Sequence, residues 1–440
     1  MPPRLITAED REMVRLAVPA LGALAAEPLY LLADTAIVGH LGTPQLAALG
    51  IAGAILTTSF TLFNFLAYGT TAQVARLHGG GEEEAAGRIA AQALWLASAL
   101  GLLLLVAIVA LAEPLVSLFG ARGSTRELAV AYLRIAALGL PFALIPLAGQ
   151  GWLRGVADLR TPLVVVIAAN GANVVLELLF VYGLDWGMRG SAAGTAIAQA
   201  GMGAAFALVL LRSSGTGRAG GASRRPDLVA IRGLARIGGH LFVRTAALTG
   251  SFAVAGAVLA RVGTAALGAH QIAFQLWSFL ALVLDAVAIA AQVIVGRALG
   301  AGRGRQAHAA AARMIWWSVA FGALLGAVMA ALGGVLPQAF TDDPAVVAQA
   351  REVWWLFALM QPAAGAVFAL DGILIGAGDS RFLMWSMLVC AVGVFVPLAL
   401  LSLALGWGIV GVWCGIVALI VSRLLLTLWR FTHDEWVRRG

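Results

Sequence analysis

The sequence predicts an all-α integral membrane protein with twelve transmembrane helices in two pseudo-symmetric lobes of six. Three observations lead there. Of the 440 residues, 61% are hydrophobic and 12% charged, too little polar surface for a soluble protein of this length. Apolar runs of roughly 20 residues, about what a helix needs to cross a hydrocarbon core ~30 Å thick, recur from end to end. Shifting the chain by 221 residues lays its second half on its first with matching residues along much of the length.

Taken in order, residues 1–12 are polar and acidic, unlike a cleavable signal, and TAED (Thr7 to Asp10) reads as a helix start. Six spans follow at 14–38, 46–74, 89–112, 127–150, 162–183 and 191–211, forming a first lobe over 1–212. A Gly/Ser/Arg-rich stretch over 213–236 has the composition of a flexible cytoplasmic linker. The second lobe, 237–440, carries spans at 237–260, 266–296, 309–332, 350–375, 383–405 and 409–429, then a short tail.

The repeat supports this division. Under the offset Gly42 and Thr43 meet Gly263 and Thr264, Arg76 meets Arg297, Pro141 meets Pro362, Asp158 meets Asp379, and Trp186 and Gly187 meet Trp407 and Gly408. An even number of spans per half keeps the same topology in both, which predicts a symmetry axis along the membrane normal. Most shared glycines are explained by close helix packing and turns.

Charge and missing chemistry narrow the function. The net charge of +7 does not indicate a nucleic-acid partner, because arginines such as Arg76, Arg88, Arg154, Arg160, Arg297, Arg303, Arg305, Arg381, Arg430, Arg438 and Arg439 fall at alternate connections, as the positive-inside rule requires. Both termini are then cytoplasmic. Every basic residue is arginine, so no Walker A loop and no Schiff-base lysine exists, and an ion gradient is the energy source left. Cys390 and Cys414 lie in apolar spans, and the six histidines show no ligand spacing, so no metal site or disulfide framework is expected. Most of the thirteen tryptophans sit toward span ends, as an interfacial belt does.

The offset also exposes an asymmetry. Asp34, Asn170, Asn173 and Glu177 fall on Ala255, Ala391, Val394 and Leu398, so this polar group belongs to one lobe. Asn170, Asn173 and Glu177 follow one helix face, and Glu27 and Asp34 are seven residues apart on the first span. An ionised carboxylate at mid-span costs about 2.5–3.5 kcal/mol, so these acids should face a cavity. There they are placed to take and release a proton, although asparagines that only tie helices together would follow the same pattern. Asp285 and Asp371 stand where the first half has Asn64 and Gln150. They suit a cationic substrate, a proton relay or an internal salt bridge. Arg244, deep in the seventh span, either snorkels to the interface or pairs with Glu27 as a gate, since the offset sets it level with Ala23.

Four segments resemble the multidrug and toxic compound extrusion (MATE) transporters, in particular the DinF-like branch: EPLYLLADTAIVGHLG (27–42), NGANVVLELLFVYGLDWGMRGSAAGTA (170–196), AHQIAFQLWSFLALVLDAVAIAAQ (269–292) and LDGILIGAGD (370–379). The resemblance implies the MATE/MOP-type fold, a V-shaped pair of lobes that alternates between outward-open and inward-open states and expels substrate in exchange for H⁺ or Na⁺. It places Asp34 at the first-span acid of the coupling site, with Asn173 and Glu177 at the fifth-span amide and acid, where Na⁺ would also bind. Glu177 departs from the aspartate common in prokaryotic members.

The resulting expectation is a monomeric antiporter of a prokaryotic cytoplasmic membrane, with H⁺ favoured over Na⁺. It would export amphipathic, cationic organic compounds and use no cofactor beyond the coupling ion. Asp34 and Glu177 share the cation, Asn170 and Asn173 orient them, and Asp285, Asp371, Asn64 and Gln150 face the substrate cavity. A flippase for lipid-linked precursors is disfavoured by five intramembrane acids against one arginine, and a membrane-embedded enzyme by connections too short to hold a site.

Overall fold

The computed structural model describes residues 8–213, 225–433 and 436–437. Thr7 of the expected helix start, residues 214–224 of the linker, Arg438 and Arg439 lie outside them. Among the described residues the secondary structure is helical, with no strand.

In the first half α1 (Ala8–Gly39), α2 (Thr43–Phe63), α3 (Phe65–Gly79) and α4 (Glu83–Leu118) lead into α5 (Gly123–Ala136), the single turn α6 (Leu140–Ala143) and α7 (Ile145–Gly155), followed by α8 (Arg160–Leu178) and α9 (Gly187–Ser213). The second half repeats the order with α10 (Leu228–Val262), α11 (Thr264–Gly300), α12 (Gly304–Ala331), the short α13 (Leu336–Phe340), α14 (Pro344–Leu359), α15 (Gln361–Gly376), α16 (Ser380–Leu388), α17 (Val396–Ala404) and α18 (Gly408–Thr432). Eleven helical stretches are long and apolar enough to cross a membrane. The pair α14 and α15, bent by 49°, makes the twelfth. Each falls on a span expected from sequence.

The fourth span of each half is broken at equivalent places, around 137–144 and at Met360. Pro141 and Pro362 stand there, each lacking the N–H that would continue the helical ladder. The repeat holds at atomic detail. A Cβ on Gly151 would strike the carbonyl oxygen of Ala67, and one on Gly372 that of Ala288, positions matched by the same offset of 221. The turns after the second span of each half use Gly81 and Gly302 in the left-handed region, at φ 77° and 69°.

The chain forms two compact units, Val18–Gly238 and Met1–Ala17 with Gly239–Gly440. The divisions at 17/18 and 238/239 are themselves 221 residues apart, so α1 and α10 each begin in one unit and end in the other. The first unit packs an apolar cluster of α2, α4 and α5 residues such as Leu49, Ile108 and Leu133, and the second a larger one around Leu259, Phe357, Phe395 and Trp413.

This division differs from the expected domain limits at both ends. Residues 228–236, assigned to the linker, are helical, because the Asp227 carboxylate caps α10 by accepting from Val229 N (2.9 Å) and Ala230 N (3.3 Å). Gln92 fixes that cap, donating to the Arg225 carbonyl (3.1 Å) and accepting from Asp227 N (2.8 Å). The start of α1 belongs with the second half. Arg313 grips the Asp10 carboxylate with two hydrogen bonds of 2.6 Å, Trp317 Nε1 donates to it at 2.9 Å, and Arg297 pairs with Glu12 at 3.0 Å. Gln92 and Arg313 are equivalent under the offset, so one position of the repeat seats both helix starts.

Candidate functional site

The first unit gathers its polar residues from four helices: Tyr30 and Asp34 of α1, Tyr132 of α5, Asn170, Asn173 and Glu177 of α8, and Ser191 and Thr195 of α9. Spacings of four residues put 30 with 34, 173 with 177, and 191 with 195 on common helix faces. α9 comes close to α8 because Gly190 and Gly194 lack side chains. A Cβ on Gly190 would lie 2.8 Å from the Phe180 carbonyl, and one on Gly194 3.2 Å from Glu177 Cγ.

Asp34 is 2% exposed and Glu177 fully buried. They meet residues one helical turn apart on α9. Ser191 Oγ donates to Asp34 Oδ1 at 3.0 Å and Thr195 Oγ1 to Glu177 Oε1 at 3.3 Å. Tyr30 bridges the two sides, with its hydroxyl 3.1 Å from Thr195 Oγ1 and 3.5 Å from Glu177 Oε1. Glu177 Oε2 and Asn173 Oδ1 are buried and accept from no protein group. One turn apart on α8, these are hard oxygens suited to a proton or a small monovalent cation, the two species that satisfy acceptors lacking donors.

Asp34 and Glu177 thus bond to one face of α9, and Asn173 lies one turn from Glu177 on α8. Asn170 is half-buried and directs its Nδ2 to the Ala26 carbonyl at 3.1 Å, which ties α8 to α1. Tyr30, Tyr132, Ser191 and Thr195 were not read as site residues from sequence. Their signal was the four-residue spacing of polar groups on helices otherwise made of small and apolar residues.

The remaining candidates divide between the units. In the first, Asn64 interrupts the second span between α2 and α3, and Gln150 accepts from Arg154 at 3.0 Å. In the second, Asp285 is half-buried along α11, while Asp371 of α15 sits in a buried ion-pair centre. Its Oδ2 accepts from Arg423 of α18 at 2.6 Å and from Arg244 of α10. The partner expected for Arg244 was Glu27. The structure gives its guanidinium Asp371 instead, and Glu27 is exposed. The count of one intramembrane arginine also needs correction. Arg423 is 4% exposed, and Arg430, read as a loop residue, is 5% exposed and bound to Asp379 at 2.7 Å. Arginines near a span end read from sequence as snorkelling, and here carboxylates on α15 and just after it draw them inward.

Comparison with known proteins agrees with this architecture. The MatE family model matches residues 19–179 and again 241–401. Protein DETOXIFICATION 44, chloroplastic, of Arabidopsis thaliana is 31% identical over 433 residues, which cover 95% of this chain and 81% of that protein. DNA damage-inducible protein F of Escherichia coli (strain K12) is 28% identical, covering 97% and 93%. Among solved structures, a MATE in the bent conformation superposes with a TM-score of 0.89 at 20% identity, covering 98% of this chain and 97% of that one. A MOP superfamily transporter from Pyrococcus furiosus superposes with a TM-score of 0.86, also at 20%. The fold is thus shared with MATE transporters, and the family model recognises both halves of the repeat. This multi-pass membrane protein belongs to the MatE family.

Proposed function

We propose that the chain is a cation-coupled antiporter that exports amphipathic organic compounds, with Asp34 and Glu177 as the pair that takes up and releases the coupling ion. One observation carries this reading: two buried carboxyl groups bonded to Ser191 and Thr195, one turn apart on α9, present in one half of the repeat and replaced by Ala255 and Leu398 in the other. Their recorded side-chain neighbours are hydroxyls, which orient a carboxyl without neutralising it. Burial of both carboxyl groups favours H⁺ over Na⁺, because a proton neutralises a desolvated carboxylate without needing further ligands. Alternating access is then coupled to whether this pair is occupied. One proton moving down 100 mV supplies about 2.3 kcal/mol, enough for roughly 50-fold accumulation.

The alternation of arginines along the connections supports placement in a prokaryotic cytoplasmic membrane with both termini inside. Substrate charge is a separate matter. Arg423 and Arg430 are taken up by Asp371 and Asp379, so the buried charge still leans to cationic compounds, with anionic probes as the comparison in the same assay. The purified protein in proteoliposomes is given a fluorescent probe and an imposed pH gradient or Na⁺ gradient, separately. Efflux is expected with the pH gradient and is expected to disappear in Asp34→Asn. Undiminished ion-driven efflux by that variant would remove the coupling assignment.

A further inference from the structure

The second unit contains a polar group that neither the carboxyl pair nor the Asp371 centre uses. His270 of α11, Trp413 of α18 and Gln361 at the start of α15 are 2%, 1% and 0% exposed. The His270 and Trp413 ring centroids are 5.9 Å apart at 65°, and Trp413 is 5.9 Å from Phe357. Gln361 Nε2 donates to the Phe357 carbonyl at 2.9 Å, across the bend at Met360. Three atoms in this group, His270 Nδ1, Trp413 Nε1 and Gln361 Oε1, are buried without a hydrogen-bond partner in the protein. Buried polar atoms left so cost about 1–3 kcal/mol each, so each of the three calls for a partner.

The repeat shows that this is a replacement. Under the 221 offset the three positions fall on Leu49, Ala192 and Leu140, all buried in an apolar cluster of the first unit. An apolar trio in one half has become a polar trio in the other, at the equivalent place. The ligand follows from the atoms. Trp Nε1–H only donates, the Gln oxygen only accepts, and His Nδ1 does either according to tautomer. A metal cation is opposed by the indole N–H and an anion by the amide oxygen. Water, which donates twice and accepts twice, completes all three.

We propose that His270, Trp413 and Gln361 hold buried water at the bend of the tenth span, and that this makes His270 a proton-exchanging group of the second unit. The ring's recorded neighbours are Phe274 and Trp413. The charged groups on the elements around it stand apart. Asp371 and Arg423 are each ten residues along their helices from Gln361 and Trp413, ~15 Å at helical rise, and Asp285 is ~22 Å along α11 from His270. Arg244 and Arg261 lie eight and nine residues from Phe252, the α10 residue that touches Phe274. Asp342, Asp343, Arg351 and Glu352, in and before α14, are exposed. The inference does not depend on the carboxyl pair of the first unit or on which ion drives transport.

The test is water-edited solid-state NMR on the full chain in lipid bilayers with ¹⁵N-histidine, His270 being assigned by its loss in His270→Leu. In the wild type, magnetisation from water should reach the His270 ring as fast as it reaches an exposed histidine, and the ring nitrogen shift should follow buffer pH. Both effects should be lost in Gln361→Leu and Trp413→Phe. Leucine already occupies the Gln361 equivalent in the first half, so that variant is expected to fold. A wild-type His270 ring polarised no faster than core leucine methyls would overturn the water site. A wet ring with a shift independent of pH would overturn proton exchange.

Discussion

Glu177 shows how little separates a structural acid from a working one. Its Oε1 is held by Thr195 and Tyr30, while Oε2 is left open. Removing one hydroxyl at a time tests this arrangement. Thr195→Ala and Ser191→Ala should each cost about 1 kcal/mol in stability, a typical net hydrogen bond, yet slow ion-driven efflux in proteoliposomes more than probe binding. A loss in binding alone would place these hydroxyls outside the coupling step. At the ion-pair centre, Arg423→Ala should destabilise by about 3–5 kcal/mol in thermal unfolding, because it strips a buried carboxylate of one of its two cations. The double change Asp371→Leu with Arg423→Leu should cost clearly less. Asp34, Asn173 and Glu177 were legible in the sequence because a carboxylate or amide on an apolar helix is conspicuous and costly. Serine and threonine are not conspicuous, since they can satisfy themselves on their own helix, as Thr35 and Ser59 do by donating to Leu31 and Ile55 carbonyls. That silence hid Ser191 and Thr195.

At the scale of elements, hydropathy located every span, because twenty apolar residues in a row leave a helix few alternatives. The ends were less legible. α10 begins at Leu228, nine residues before the expected span, because an aspartate cap and the Gln92 contacts support polar helix that hydropathy does not register. The breaks in the fourth span of each half escape hydropathy, since a proline marks where a helix weakens without fixing the angle. Close approach between α3 and α7 rests on Gly151 and Gly155, and that between α11 and α15 on Gly372 and Gly376. Gly151→Ala and Gly372→Ala should therefore both lower the midpoint of thermal unfolding in detergent, by about 1–3 kcal/mol each, the usual range for overpacking. A drop at one site with none at its equivalent would show that the two halves pack by different rules despite their shared sequence.

For the molecule as a whole, the unit boundaries cross the sequence halves in an orderly way. The first seventeen residues belong with Gly239–Gly440, held by Asp10 between Arg313 and Trp317. Asp10→Ala should therefore destabilise the second unit, read as earlier solvent exposure of Trp317 fluorescence on heating, and leave unfolding of the first unit unchanged. No hydropathy argument reveals this, because the anchoring acid lies ahead of the apolar span and its arginine three hundred residues later. The 221 offset alone points to it, through the equivalence of Arg313 and Gln92. Such traded helix starts bear on ancestry. A polypeptide of half this length would carry an opening segment with no seat in its own fold, and could complete itself only by lending that segment to a sister copy and borrowing one in return. Gene fusion would then have made permanent an embrace that two separate chains once had to find by diffusion.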